Sequence, residues 1–282
     1  IDPGEWSVQH ETDVALRYIR NEGGESRDSE KPFMLMMSYN PPHMPFDQVP
    51  GEYVERYGDV SNADLLNRPN IKLEGRAEAA GVHVKNYFGM VTGVDEHFGR
   101  ILSCLKEEGL EEDTIVVFTA DHGEMMGSHG LMGKGVWYEE SFPVPFIIRW
   151  PGKIASGEDD LLIGTPDLMP TLLGLMGFAD HIPDEVEGSN YAGVFRGEAV
   201  ERPSSGLYLD VSNGFPQGGR RGVRTHTHTF VIERGRDQAD RLILHDNVAD
   251  PYQMKNIAEE SPELVKGLTE ELHGWLEKTQ DP

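Results

Sequence analysis

The sequence predicts an α/β fold: a central, mostly parallel sheet flanked by helices, then a small antiparallel sheet and a terminal helix. Residues 77–108 carry one apolar stripe of helical spacing and lead into a β-favouring run at 114–120. That order is typical of a helix-to-parallel-strand unit. After about Gly197, short strand-like pieces alternate with Gly, Asn and Asp, which is typical of an antiparallel sheet. The change predicts an α/β domain at 1–200 and an α+β subdomain at 201–282.

The first half contains three predicted elements. Residues 10–20 form an amphipathic helix with Thr12 as its N-cap. Residues 33–39 (FMLMMSY) form a buried strand, which the prolines of the following segment, residues 40–45, bring to an end. The helix over 77–108 is the longest of the chain, and Gly109 marks its C-terminus.

Three further elements complete the predicted α/β domain. Residues 115–118 are consecutive β-favouring residues, which predicts a central parallel strand that is covered on both faces. Residues 144–150 predict another strand, closed by a Pro-Gly pair. A helix follows over 166–174, and Pro166 occupies the favoured first position.

The subdomain is predicted from short apolar runs between turn residues. Strands are expected over 207–211, 222–225, 229–233 and 241–244, and the segment 245–251 is interpreted as a turn. The terminal helix covers 260–277, with Ser261 as cap and Pro262 in its first turn.

Composition argues against a nucleic-acid partner and against a membrane span. The 282 residues carry a net charge of −24, whereas nucleic-acid affinity depends on clustered Lys and Arg, so no nucleic-acid partner is expected. No apolar run approaches the roughly 20 residues of a membrane span.

Cys104 is the only cysteine. It lies on the predicted long helix, and we interpret it as a buried, inert thiol.

Asp121-His122-Gly123 lies where the strand over 114–120 ends. Ligands of open α/β sheets usually bind at the carboxyl ends of strands. A carboxylate suits Ca²⁺ or Mg²⁺, and the adjacent imidazole extends the choice towards Mn²⁺ or Zn²⁺. The alternative is that Asp121 caps a turn and His122 forms a local hydrogen bond, since two ligands do not make a metal site.

His43 and Lys134 are two further candidates. Pro42 and Pro45 stiffen the backbone around His43, although an ordinary loop histidine fits equally well. Lys134 stands between two glycines, so its ammonium could approach a bound oxyanion. The alternative is a solvated turn lysine.

Other polar groups fit structural roles better. His129 is interpreted as structural, the pair Glu139-Glu140 as a helix start or a backbone contact, and His226 and His228 as exposed strand residues.

In order, these segments resemble the type I sulfatases of the alkaline-phosphatase superfamily. The resemblance covers nearly the whole chain. The matching motifs are Lys31-Pro32-Phe33 with Pro42-His43-Met44-Pro45, Asp113-Thr114 with Asp121-His122-Gly123-Glu124, Gly130 to Glu140 with Val144-Pro145-Phe146, Pro166-Asp167-Leu168 with Pro170-Thr171-Leu172, and Gly222-Val223-Arg224 with Asp250-Pro251.

The resemblance implies a sulfuric ester hydrolase that cleaves a sulfate monoester of a carbohydrate or aryl alcohol. It assigns Asp121 and His122 to one divalent cation, usually Ca²⁺, with Mg²⁺ or Mn²⁺ as options. It assigns His43 and Lys134 to the sulfate group and the leaving oxygen. The expected partner is a sulfated small molecule or glycan, and the expected location is periplasmic or secreted.

The chain departs from the family in several respects, of which the missing nucleophile matters most. The family's nucleophile is a formylglycine made from Cys or Ser in a C/S-x-P-S-R segment, and no such segment occurs. The chain is therefore expected to be the C-terminal part of a longer sulfatase and to be inactive alone. Two alternatives stay open: a phosphonate or phosphodiester hydrolase of the same superfamily, and a non-catalytic homologue that binds sulfated glycans.

Overall fold

The computed structural model describes residues 4–24, 26–212 and 214–281, and the chain divides into two compact units. The first unit contains the residues up to Phe118, together with Met125–Met132 and Ile147–Pro151. The second contains Thr119–Glu124, Gly133–Phe146 and the residues from Gly152 onward. These units do not test the predicted domain boundary near residue 200, which stays a prediction.

Helices dominate the first unit. They are α1 (Ser7–Arg20), α2 (Gly51–Glu55), α3 (Asn62–Leu65) and α4 (Glu78–Glu107). The long helix is thus confirmed. The prediction that Gly109 marks the C-terminus of this helix is also confirmed. Gly109 has a φ of +69°, and the Leu110 N–H donates to the Leu105 carbonyl at 2.8 Å.

Helices α1 and α4 share an apolar core. Its buried members are Ala15, Leu16, Ile19, Ile101, Cys104 and Leu105. The prediction that Thr12 caps α1 is wrong, because the helix begins five residues earlier and Thr12 is fully buried inside it. The Thr12 hydroxyl donates to the Val8 carbonyl at 2.6 Å, as serine and threonine often do within helices.

Strands β1 (Val116–Thr119) and β2 (Phe146–Arg149) form a two-stranded sheet. Both were predicted, but each is shorter than expected. The expectation that residues 115–118 are covered on both faces is wrong, since β1 is half-buried along its length and ends in an exposed residue.

The predicted strand over 33–39 is not formed. A strand is defined by its ladder of hydrogen bonds, and residues 33–39 belong to no strand in the described structure. Phe33 and Met37 pack against the core of α1 and α4, whereas Met34 and Met36 are 86% and 82% exposed. This alternation fits an extended segment with one covered side.

The second unit contains the predicted C-terminal elements. They are α5 (Thr165–Leu175), α6 (Ala192–Phe195), β3 (Ser205–Ser212), β4 (Phe215–Thr225), β5 (His228–Arg234), β6 (Arg241–Asp246) and α7 (Pro262–Thr279). Strands β3 to β6 form an antiparallel sheet in sequence order. The subdomain strands and the terminal helix are confirmed. The expected turn over 245–251 begins two residues late, because His245 and Asp246 still belong to β6.

The four-stranded sheet has two covered faces. On one face, a cluster that includes Phe230, Leu244 and Leu272 joins the sheet to α7. On the other face, Tyr208, Val231 and Ile243 form a buried cluster with Trp137. The segment that contains Trp137 therefore rests on this sheet.

Among the residues that the structure describes, no helix has both the length and the apolar character that crossing a membrane requires.

Candidate active site

Asp121 and His122 lie just beyond the end of β1. The Asp121 side chain is 85% exposed, and its Oδ1 accepts a hydrogen bond from the His122 N–H at 2.9 Å. The second carboxylate oxygen, Oδ2, lies 3.4 Å from His122 Nε2. Two potential metal-binding atoms thus lie side by side.

The His122 ring is oriented by a backbone contact. Its Nδ1 lies 2.8 Å from the Gly123 carbonyl. A carbonyl only accepts hydrogen bonds, so Nδ1 carries the proton and Nε2 keeps its lone pair when the ring is neutral. This arrangement is typical of histidine ligands, whose second nitrogen is usually fixed by a hydrogen bond.

This donor set fits part of a cation site. A carboxylate oxygen and an imidazole nitrogen suit Ca²⁺, Mg²⁺ or Mn²⁺ to different degrees. No group of three or more His, Cys, Asp or Glu in the described part of the chain is arranged to hold a metal ion. Asp121 and His122 can therefore supply only some of the ligands.

The segment after His122 is held against residues 133–142, which we call the lysine loop. The Gly123 N–H donates to the Ser141 carbonyl at 2.9 Å, and Glu124 Oε1 accepts from the Gly133 N–H at 2.6 Å. A Cβ at Gly123 would lie 2.0 Å from the Glu140 carbonyl oxygen, so this approach requires glycine. The structure thus brings the Asp-His pair and the lysine loop together.

Lys134 is exposed within this loop. Gly133 and Gly135 on either side both have a φ of +84°, a conformation that favours glycine. Alternating glycines at these positions let the backbone turn sharply around the lysine. The backbone conformation around Lys134 therefore depends on the two glycines that flank it.

His43 belongs to the first compact unit, whereas the other three candidates belong to the second. It stands between two cis peptide bonds, Pro41-Pro42 and Met44-Pro45. Its N–H donates to the Asn40 carbonyl at 3.0 Å, and its Nδ1 lies 2.8 Å from the Met44 carbonyl. As with His122, the carbonyl contact assigns the proton to Nδ1.

His129 and Cys104 occupy the structural positions expected of them. The prediction that His226 and His228 are exposed strand residues is only partly right, because His226 lies in the turn between β4 and β5 and His228, the first residue of β5, is partly buried. His129 Nε2 lies 3.1 Å from Asn70 Nδ2, and His226 Nε2 lies 2.9 Å from the Asp160 carbonyl oxygen. Cys104 is buried, and burial raises the pKa of its thiol, which opposes the thiolate form.

The residues that support the lysine loop are not predictable from local sequence patterns. The Gly135 carbonyl accepts from Arg220 Nη1 at 3.1 Å and from the Tyr208 hydroxyl at 3.3 Å. The Glu139 carboxylate is bound by Arg224, and the Glu139 N–H donates to Gln253 Oε1 at 3.0 Å. These contacts join residues that are far apart in sequence, so no local sequence pattern indicates them.

A strand-end Asp-His pair connected to a glycine-flanked lysine defines an α/β protein with a candidate site for a cation and an anion. The sulfatase family model matches residues 4–178, and the model for the C-terminal region of N-sulphoglucosamine sulphohydrolase matches residues 127–281. The chain belongs to the sulfatase family.

Curated relatives support this assignment. An endo-4-O-sulfatase from Bacteroides thetaiotaomicron is 40% identical over 301 aligned positions, which cover 100% of this chain and 58% of the relative. An ulvan-active sulfatase from Formosa agariphila is 34% identical over 237 positions, which cover 81% of this chain and 44% of that protein. The chain therefore spans about half the length of these relatives.

A solved structure from work on glycosaminoglycan metabolism by Bacteroides thetaiotaomicron matches this chain with a TM-score of 0.92 at 40% identity. The match covers 100% of this chain and 61% of that structure. The predicted α/β fold of the alkaline-phosphatase superfamily, with its small antiparallel sheet and terminal helix, is thereby confirmed.

Proposed function

We propose that this chain supplies two metal ligands and the anion-binding lysine of a sulfatase that cleaves a sulfate monoester. One observation carries the proposal: the segment that bears Asp121 and His122 is hydrogen-bonded to the lysine loop through Gly123–Ser141 and Glu124–Gly133. These contacts place a carboxylate, an imidazole and an ammonium on one hydrogen-bonded framework. These groups are suited to bind a cation and a tetrahedral anion beside it.

In this proposal Asp121 Oδ2 and His122 Nε2 would hold Ca²⁺, or Mg²⁺ or Mn²⁺ in its place. When bound, the cation would supply positive charge that stabilises the sulfuryl oxygens. The Lys134 ammonium would bind the same anion, where it would stabilise negative charge as that charge develops in the transition state. His43 would assist the leaving oxygen through the nitrogen that does not face the Met44 carbonyl.

The nucleophile lies outside these residues. A formylglycine requires a C/S-x-P-S-R segment, and the 282 residues contain none. Cys104 is buried in a helix and has a raised thiol pKa, so it does not replace the missing group. We expect hydrolysis only from a protein that joins this chain to a segment with the nucleophile.

The proposed substrate is a sulfated carbohydrate. Two relatives at 34–40% identity are named an endo-4-O-sulfatase and an ulvan-active sulfatase. These names favour sulfate esters over the phosphonate or phosphodiester alternative. They also favour catalysis over simple glycan binding. By family analogy we propose a periplasmic or secreted location, which cell fractionation with an antibody to this chain would test.

Substrate comparison tests the proposal. The full-length gene product would be assayed for sulfate release from an aryl sulfate and from sulfated oligosaccharides, alongside a phosphonate monoester and a phosphodiester. We expect the sulfate esters to be hydrolysed fastest. Preferential cleavage of the phosphorus esters would overturn the proposal in favour of the sister activity. Binding of sulfated glycans without turnover would favour the non-catalytic alternative.

A further inference from the structure

The lysine loop lies on the four-stranded sheet. Trp137 is 5% exposed and packs with Tyr208, Val231 and Ile243 on the sheet face opposite α7. Its indole Nε1 donates to His245 Nε2 at 3.2 Å. A buried aromatic ring with a satisfied polar atom fixes both the position and the orientation of the loop.

The sheet contacts the residue that follows Lys134. The Gly135 carbonyl oxygen accepts two hydrogen bonds from the sheet, one from Arg220 on β4 and one from Tyr208 on β3. This carbonyl lies one residue from the Lys134 Cα. A displacement of Gly135 would therefore move the backbone that carries the ammonium.

Arg220 is itself held in place by the two strands that flank it. Asp210 and Glu233 are its direct partners in the β3–β4 and β4–β5 registers. Arg220 Nη1 lies 2.9 Å from Asp210 Oδ2, and Nε lies 2.8 Å from Glu233 Oε1. The guanidinium carbon also lies 5.5 Å from the centre of the Trp137 ring, within the range of a cation–π contact.

From these contacts we propose that Arg220, assisted by Tyr208, is a positioning residue for Lys134. Arg220 links two carboxylates of the sheet to the carbonyl that follows the lysine, so the sheet determines where the ammonium stands. The inference rests on the proposed function, because it assigns Arg220 a part in anion recognition by Lys134. Small errors in the placement of a catalytic group can reduce a rate by about 100-fold, which makes such positioning consequential.

The structure supplies matched variants. Arg220→Met keeps the aliphatic stem but removes every guanidinium contact, and Tyr208→Phe removes only the hydroxyl. Arg234→Met is the control, because Arg234 has the same 27% side-chain exposure as Arg220 but pairs with Asp240 rather than with Asp210 and Glu233. Tyr208→Phe keeps the proposal testable if Arg220→Met fails to fold.

The first readout is a double-mutant cycle in the full-length protein with an aryl sulfate. We expect Arg220→Met to lower kcat/KM by about 10- to 100-fold and Tyr208→Phe to lower it less. In a Lys134→Ala background, Arg220→Met should have little further effect, because Arg220 acts through the lysine. Equal losses in both backgrounds would overturn the proposal, as would an equal loss in Arg234→Met.

The second readout is amide hydrogen exchange of the lysine loop, which requires no enzyme activity. Arg220→Met should speed exchange at residues 134–137 while exchange in β5 and β6 stays slow. Unchanged exchange in the loop would overturn the positioning role even if turnover falls. If the unaltered full-length protein hydrolyses no sulfate ester, the proposed function fails, and the exchange result still decides whether Arg220 holds the loop.

Discussion

Arg224 donates two hydrogen bonds to the carboxylate of Glu139, from Nε to Oε1 at 2.9 Å and from Nη2 to Oε2 at 3.0 Å. The pair connects β4 to the lysine loop across 85 residues of sequence. Both side chains are about three-quarters buried. This bidentate geometry is among the stronger polar interactions in proteins, so it should contribute to the stability of the second unit.

We expect Arg224→Met to lower the free energy of unfolding by about 1–3 kcal/mol, because it leaves a carboxylate that is about three-quarters buried without its charged donors. Urea denaturation of this chain would measure the change. Arg202→Met is the control: Arg202 pairs with Asp159, and both side chains are about 40% exposed, so solvent screens the pair and its loss should cost much less than the loss of Arg224. Equal costs in the two variants would contradict the prediction.

Gly123→Ala should destabilise the connection between the Asp-His pair and the lysine loop. The added Cβ would meet the Glu140 carbonyl oxygen at 2.0 Å, which forces the backbone apart and costs about 1–3 kcal/mol. In α7, a Cβ at Gly274 meets nothing within 4 Å, so Gly274→Ala should stabilise the helix by about 0.5–1 kcal/mol. Opposite shifts of the melting temperature are expected, and a neutral Gly123→Ala would argue against the close approach.

Asp281→Asn should be one of the most damaging single changes in the second unit. Arg221 is fully buried, and its Nε lies 2.7 Å from Asp281 Oδ2. Removal of the negative charge leaves a buried guanidinium uncompensated, which costs about 3–5 kcal/mol. Denaturation of the variant would be compared with Asp240→Asn, which loses a more exposed partner of Arg234. A cost below that of the control would show that Arg221 does not depend on Asp281.

Stability should also respond to pH through His97 on α4. Burial lowers the pKa of His97, and the nearby Arg100 guanidinium lowers it further. Its Nδ1 lies 3.0 Å from Arg100 Nη1, a contact that requires a neutral ring. The unfolded chain therefore binds the proton more readily than the folded one, and stability falls as the pH drops below the usual value of about 6.5.

His97→Gln removes this titration but keeps an oxygen that can accept from Arg100. The variant should lose less stability than the original chain between pH 8 and pH 5. Thermal unfolding at both values would show the difference. An identical loss at acid pH in the two chains would mean that other groups account for the whole pH dependence.

The sequence predicted those features that depend on neighbours in the chain. The long helix follows from an apolar stripe and a terminal glycine, and Lys134 was singled out because glycines flank it. The segment 33–39 was predicted wrongly because apolar, β-favouring residues form a strand only when another strand supplies hydrogen bonds. Thr12 was misplaced because a threonine can bond either to the start of a helix or to a carbonyl within it.

The support of the candidate site could not be predicted in this way. Tyr208 and Arg220 reach the Gly135 carbonyl from 73 and 85 residues away, and their role depends on the register of β3, β4 and β5. Strand alternation indicates which face a side chain occupies but not which loop covers that face. Asp121 and His122 needed no such information, since they are adjacent in the chain.

Lys134→Ala offers the most direct test of the candidate site. Lys134 is exposed and lies between glycines of positive φ, so its side chain should contribute about 0.5 kcal/mol or less to folding. In the full-length protein we expect turnover of an aryl sulfate to fall by about 100- to 1,000-fold, because a charge that stabilises the transition state is lost. Lys153→Ala, at another exposed turn lysine, should leave both turnover and melting temperature unchanged. A large loss of stability in Lys134→Ala would show that the lysine supports the fold, and unchanged turnover would remove it from the site.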